Sequence, residues 1–121
     1  MNLLFVYGTL RSGHDNTWAK RLHEASDYEG PGVIAGSLYR IAHYPGLVED
    51  DPGGEVHGEL WRIRDFQPVV AALDDYEGSE YSRVVRQIRK PDGGNSEAWV
   101  YIFVASIENK PRILSGDWTH C

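Results

Sequence analysis

The sequence predicts an α+β domain in which the strands curl into a small barrel-like core and the helices lie against it. Three observations carry this. The apolar patterns run strand, helix, strands, helix, hairpin, which is not the regular strand and helix alternation of a doubly wound sheet. Glu55 to Ile63 alternates with a period of two, whereas the stretch after Asp65 repeats at helical spacing. No internal repeat, low-complexity tract or linker divides the chain, and 121 residues suffice for one buried core but not for two. Residues 1–121 are accordingly read as a single domain.

Leu3-Leu4-Phe5-Val6-Tyr7 is a short β-prone apolar run stopped by Gly8, the pattern of a buried strand feeding a tight turn. Asp15 or Asn16 can cap the helix that follows, on which Trp18, Leu22 and Ala25 recur at i, i+4 and i+7 and form one apolar face. From Gly30 to Gly58 the chain is rich in glycine and broken by Pro31, Pro45 and Pro52. It reads as a loop-rich wall with one strand from Val33 to Ala42 and a loop around His43-Tyr44-Pro45-Gly46. In Glu55 to Ile63, residues Glu55, His57, Glu59 and Trp61 fall on one face, against Val56, Gly58 and Leu60 on the other.

Asp65 begins a helix, because proline is tolerated in a first turn and Phe66, Val69 or Val70, Leu73 and Tyr76 recur at helical spacing. Gly78 ends it. Tyr81 to Arg89 and Glu97 to Ala105 are two strands joined through Pro91-Asp92-Gly93-Gly94 as a hairpin, and Ile107 to Cys121 is expected to be irregular.

Hydrophobic residues make up 41% and charged residues 25% of the chain, close to an average globular domain, so it is expected to fold by itself. Its longest apolar runs, such as Ala98 to Ala105, fall far short of the roughly 20 residues that cross a bilayer, and the start has no basic-then-apolar leader. A cytoplasmic protein with no membrane partner is expected. A net charge of −6 without a basic patch speaks against nucleic acid as a partner. The single Cys121 can form no intrachain disulfide, which fits a reducing compartment. His14, His23, His43, His57 and His120 are scattered without i,i+4 pairing or cysteine partners, so no metal is expected.

Two places can carry chemistry. Tyr7-Gly8-Thr9-Leu10-Arg11 is a strand end with a glycine turn, where consecutive N–H groups can converge on an anion and a missing side chain lets a ligand come close. Such turns also serve only to reverse a chain. Glu77 falls in the last turn of its helix, at the negative end of the macrodipole, where a carboxylate is slightly unfavourable. Partial burial there would raise its pKa toward the range of a general acid/base, while full exposure among Asp74, Asp75 and Glu80 would leave it an ordinary surface charge. Trp99 and Phe103 suit packing. Tyr81 and Tyr101 are candidates for a pocket, since a buried hydroxyl must find a partner.

Taken together and in order, these segments resemble the gamma-glutamylcyclotransferase-like family. Phe5-Val6-Tyr7-Gly8-Thr9-Leu10-Arg11 is similar to its Tyr-Gly-Ser/Thr-Leu signature, and Leu73-Asp74-Asp75-Tyr76-Glu77-Gly78 with Tyr81-Ser82-Arg83 is similar to its Leu-Asp-x-x-Glu-Gly, Tyr-x-Arg block. His43-Tyr44-Pro45-Gly46-Leu47-Val48, Val56-His57-Gly58-Glu59-Leu60-Trp61 and Ser115-Gly116-Asp117-Trp118 resemble the small bacterial branch known as YtfP-type.

The resemblance implies a mixed β-barrel with flanking helices and an active-site pocket at one barrel end. It implies that Tyr7, Gly8, Thr9 and Leu10 hold a glutamyl group. Tyr81 and Tyr101 stand beside them as pocket candidates, and Arg11 and Arg83 are candidates for balancing the substrate's negative charge, although either could simply pair with a nearby carboxylate. Glu77 would then be the catalytic acid/base in cyclising a gamma-glutamyl compound to 5-oxoproline. The nucleophile is the substrate's own amine, so no cofactor is called for. A non-catalytic module that holds a small anionic metabolite in the same cradle is the competing expectation. Substrate identity, oligomeric state and pathway are not legible.

Overall fold

The computed structural model describes residues 2–120. Its strands are β1 (Leu3–Val6), β2 (Ser26–Ala35), β3 (Ser37–Arg40), β4 (Pro45–Val48), β5 (Glu55–Ile63), β6 (Tyr81–Arg89), β7 (Asn95–Phe103) and β8 (Arg112–Ile113). The helices are α1 (Thr17–Glu24) and α2 (Phe66–Glu77), and a short 3-10 helix spans Trp118–His120. The barrel expected from the sequence is present: five strands close in the order β1-β5-β2-β6-β7, and β4-β3-β8 form a separate small sheet. Closure comes from a parallel contact of β1 with β7, Leu4 opposite Trp99, while the other barrel pairs are antiparallel. No helix among the described residues is long and apolar enough to cross a membrane.

The unbroken apolar run of β1 has a simple cause, which is that both faces of the strand are covered. Leu3, Phe5 and Tyr7 join the inner cluster with Val56 and Leu60 of β5, Ile88 of β6 and Val100 of β7. Leu4 and Val6 point the other way, against Leu22 of α1 and Leu73 of α2. Leu38, Leu47 and Ile113 bring the small sheet onto the inner cluster. Fully burying one such leucine is worth about 2 kcal/mol, so each helix is held chiefly by this face and not by its intrinsic propensity.

The Phe5 ring needs space that two glycines provide. Gly32 and Gly58 are register partners on β2 and β5. A Cβ on Gly58 would lie 2.5 Å from Phe5 Cζ and 2.4 Å from the Val6 carbonyl oxygen, and one on Gly32 would lie 2.6 Å from Ile88 Cγ2.

α1 starts at Asn16, whose side chain accepts the Ala19 N–H, and it buries Ala19 and Leu22, leaving Trp18 and Ala25 half-covered. α2 starts after Asp65, whose side chain makes no capping bond, and stops at Gly78 with φ 77°. That angle is open to glycine at little cost.

The glycine-rich middle departs from expectation. The strand expected over Val33 to Ala42 is two strands in two sheets, divided at Gly36, where φ is 145° and a Cβ would meet the Val48 carbonyl oxygen at 2.8 Å. β2 begins earlier, at Ser26, and absorbs its Gly-Pro pair through a register shift between Tyr28 and Gly30. Glycine and proline signalled a loop there, but a bulged strand accommodates both. The expected loop at Pro45-Gly46 is β4, because Leu38 and Leu47 pair across β3 and β4 and need burial. β7 spans Asn95–Phe103, not 97–105, and the tail, expected to be irregular, adds β8 and the 3-10 helix. Cys121 lies outside the described residues.

Candidate active site

Past the end of β1, Tyr7 continues the inward row and the chain turns over Gly8 to Leu10, with the Arg11 N–H donating to the Gly8 carbonyl at 3.1 Å. The Tyr7 hydroxyl donates to the Tyr101 carbonyl at 2.7 Å and accepts the Leu47 N–H at 3.1 Å, tying the turn to β7 and to the small sheet. The N–H groups of Gly8, Thr9 and Leu10 have no acceptor among the described residues. All three residues line a cavity of about 210 Å³. Gly8 was expected to admit a ligand, but its missing Cβ admits Pro45, whose Cγ and Cδ would lie 2.7 and 2.8 Å from it. The Pro45 ring thereby becomes part of the cavity wall.

The end of α2 supplies another part of the wall. Leu73 is buried against the barrel, and Glu77 follows four residues later on the same helix face, so burying one turns the other toward the cavity. Burial pushes the Glu77 carboxyl up from its ordinary 4.5 to about 7, and the negative charge of Asp74 adds to the effect. No residue among those described forms a hydrogen bond or ion pair with the Glu77 carboxyl. It is a half-buried acid near neutrality with its proton site open to the cavity.

Asp74, one turn earlier, is held as a fixed anion. Burial pushes its carboxyl up, but hydrogen bonds from Arg83 and Tyr101 outweigh this and keep it below the usual carboxylate range. Arg83 reaches it through Nε at 2.9 Å and Nη2 at 3.1 Å, and the Tyr101 hydroxyl at 2.7 Å. The Tyr81 hydroxyl donates to the Pro45 carbonyl at 2.7 Å. Burial pushes the hydroxyls of Tyr7, Tyr81 and Tyr101 up, so all three stay protonated donors.

Of the residues singled out from the sequence, the structure brings Glu77, Tyr7, Gly8, Thr9, Leu10, Tyr81 and Tyr101 to one cavity. It does not bring Arg11 and Arg83 into the wall. Arg11 turns to the far side of the loop, where Nη1 meets Asp117 at 2.8 Å and Nε lies 3.9 Å from Glu59. Arg83 shares a face with Tyr81 but sits about 7 Å further along the strand, where Asp74 holds it over the Trp99 ring at 4.4 Å. Both guanidinium groups therefore balance protein carboxylates.

Sequence reasoning gave no site role to His43, Tyr44, Pro45 and Tyr76, which also line the cavity. The His43-Tyr44-Pro45-Gly46 segment was visible as a motif, but its loop path depends on the β3 and β4 pairing. Helical spacing marks Tyr76 only as an apolar helix position. It is 44% exposed at the mouth and stacks on Trp18 at 4.8 Å.

The profile of the gamma-glutamyl cyclotransferase, AIG2-like family matches residues 4–120. The chain belongs to that family. A gamma-glutamylcyclotransferase family protein, YtfP, of Escherichia coli K12 is 36% identical to this cyclotransferase family member over 119 residues, covering 95% of this chain and 94% of that one. The solution NMR structure of Escherichia coli ytfP superposes with a TM-score of 0.68 at 34% identity, covering 96% and 95% of the two chains. A gamma-L-glutamyl-butirosin B gamma-glutamyl cyclotransferase of Niallia circulans is 32% identical over 107 residues, 83% of this chain and 65% of that one. Family membership supports cyclotransferase activity in general.

Proposed function

We propose that the protein is a cytoplasmic, cofactor-independent cyclotransferase that converts the glutamyl group of a gamma-glutamyl amine or amino acid to 5-oxoproline and releases the free amine. The observation that carries this reading is the juxtaposition of an unpartnered carboxyl titrating near 7 with a turn of unpartnered amides on one cavity.

The reaction needs a proton carrier and an anion cradle, and its nucleophile comes with the substrate. The Glu77 carboxylate takes a proton from the substrate's α-ammonium. The freed amine attacks the γ-carbonyl carbon and closes the five-membered ring, and N–H groups of the Gly8 to Leu10 turn hold substrate oxygen atoms. Protonated Glu77 passes its proton to the amide nitrogen, the original carbon–nitrogen bond breaks, and Glu77, again a carboxylate, takes the second proton from the ring nitrogen and hands it to the departing amine. The α-nitrogen keeps one hydrogen in the lactam, and the released amine carries away the two it gave up. A carboxyl near neutrality serves both directions of transfer.

The test is a panel of gamma-glutamyl amino acids, gamma-glutamyl amines and glutathione assayed for 5-oxoproline. At least one is expected to turn over, with kcat/KM rising along a limb centred near pH 7 as Glu77 loses its proton. Thermal shifts without any release across the panel would leave a binding module, and neither shift nor release would remove the site altogether. Asp74→Asn removes the neighbouring negative charge that helps keep Glu77 protonated, so the limb is expected at lower pH. A limb at unchanged pH would show that the two carboxyl groups are not coupled.

A further inference from the structure

The proton chemistry above makes no use of Asn16 or His23, yet both side chains are turned onto the backbone of the cradle. Asn16 accepts the Ala19 N–H through Oδ1 at 2.8 Å and donates to the Thr9 carbonyl through Nδ2 at 2.7 Å. The two partners fix the orientation of the amide, since one can only donate and the other only accept. His23, at the other end of α1, has Nε2 at 2.7 Å from the Leu10 carbonyl, so that nitrogen carries a proton. Its ring stacks on Trp61 at 4.3 Å, which holds its direction.

A trans peptide plane points its carbonyl and its N–H in opposite directions. Tying the Thr9 carbonyl to the start of α1 therefore turns the Leu10 N–H away from that helix. No residue of α1 lines the cavity, whereas Leu10 does. The Gly8 carbonyl is fixed in the same way by the Arg11 N–H, which sets the direction of the Thr9 N–H. Asn16 thus has two separable tasks. Capping α1 requires only an acceptor, and holding the cradle requires a donor.

We propose that Asn16, supported by His23, is a positioning residue that uses the N-cap of α1 to aim the Leu10 N–H into the cavity for the substrate's carboxylate. The proposal rests on the reading of Gly8 to Leu10 as the anion-holding turn. It makes α1 a splint for the site, although no α1 residue touches the cavity.

Aspartate and serine both cap helices, but aspartate has no donor and serine is too short to reach the Thr9 carbonyl. Asn16→Asp and Asn16→Ser in the full chain are therefore expected to keep Tm within about 2 °C, a shift well below 1 kcal/mol for a domain of this size. KM for the best gamma-glutamyl substrate of the panel is expected to rise about tenfold with kcat within about twofold, as loss of one uniform binding contact should do. Backbone amide relaxation should report loosening confined to Thr9, Leu10 and Arg11, with α1 still ordered. Unchanged KM, an unchanged turn, or a fall in Tm with disorder of α1 in both variants overturns the proposal and leaves Asn16 as a helix cap only. If the wild type releases 5-oxoproline from no compound, the catalytic reading fails separately and the relaxation measurement alone decides: a loosened turn with α1 intact supports the positioning role, and an ordered turn overturns it.

Discussion

Glu77→Gln is expected to lower 5-oxoproline release by about 10³-fold while leaving substrate binding nearly intact. Positioned acid/base groups contribute roughly 10² to 10⁴ to rate, and here one carboxyl carries every proton transfer, so the effect belongs in the upper half of that range. Glutamine keeps the size of the side chain and the single open position facing the cavity but cannot take a proton. The loss should fall on kcat, and a variant retaining more than a tenth of wild-type turnover would remove Glu77 from the reaction.

The same substitution carries a stability signature of opposite sign. The folded pKa of about 7 lies above the ordinary 4.5, so native Glu77 binds its proton more tightly than the unfolded chain does. The stability this provides is fully present below pH 4.5 and is lost as the pH rises through 7. Above pH 7 the native state holds an unpaired, half-buried anion that glutamine does not. Glu77→Gln should therefore be more stable than the wild type at pH 8, by about 2 kcal/mol, with the gap closing near pH 4.5. Denaturant unfolding at the two pH values reads this directly, and equal midpoints at pH 8 would mean that water solvates the carboxylate in the folded state.

Gly58→Ala is expected to cost about 3 kcal/mol of stability, a large effect for one methyl group. The new Cβ would sit 2.4 Å from the Val6 carbonyl oxygen and 2.5 Å from Phe5 Cζ, inside any allowed contact. Neither neighbour moves cheaply, since Val6 is strand backbone and Phe5 is fully buried. Relief requires β1 to shift away from β5, which also displaces the turn that begins at Tyr7. Denaturant midpoint and substrate affinity should therefore fall together. Gly53→Ala, whose Cβ would meet nothing nearer than Asp51 Oδ1 at 3.5 Å, is the control and should stay within about 0.5 kcal/mol. Equal costs for the two would mean that the barrel interior is looser than its geometry requires.

Much of the fold was legible because its signals are local. The period of two in Glu55 to Ile63, the helical spacing after Asp65 and the stop at Gly78 each depend on residues within one element, and β5 and α2 lie where those patterns end. The middle of the chain was not legible, because glycine and proline mark a loop in isolation. At Gly30-Pro31, Gly36 and Pro45-Gly46 they instead serve a bulge, a change of sheet and a close approach to Phe103, all properties of the partner strands. Arg11 and Arg83 illustrate the same limit. Residue type left each open to a substrate or to a nearby carboxylate, and which acid meets which arginine, Asp117 or Asp74, is set by elements far apart in the chain.

By itself, the sequence determined which residues could bear the chemistry: an acid at the end of a helix and a glycine turn at the end of a buried strand, each defined by its own neighbours. Only the tertiary structure decided that they share a cavity, that burial beside a fixed Asp74 carries the acid to about 7, and that Asn16 and His23 hold the Thr9 and Leu10 carbonyls of the turn. Desolvation, like-charge repulsion and the direction of a peptide plane all arise between elements far apart in the chain, and no local pattern encodes them.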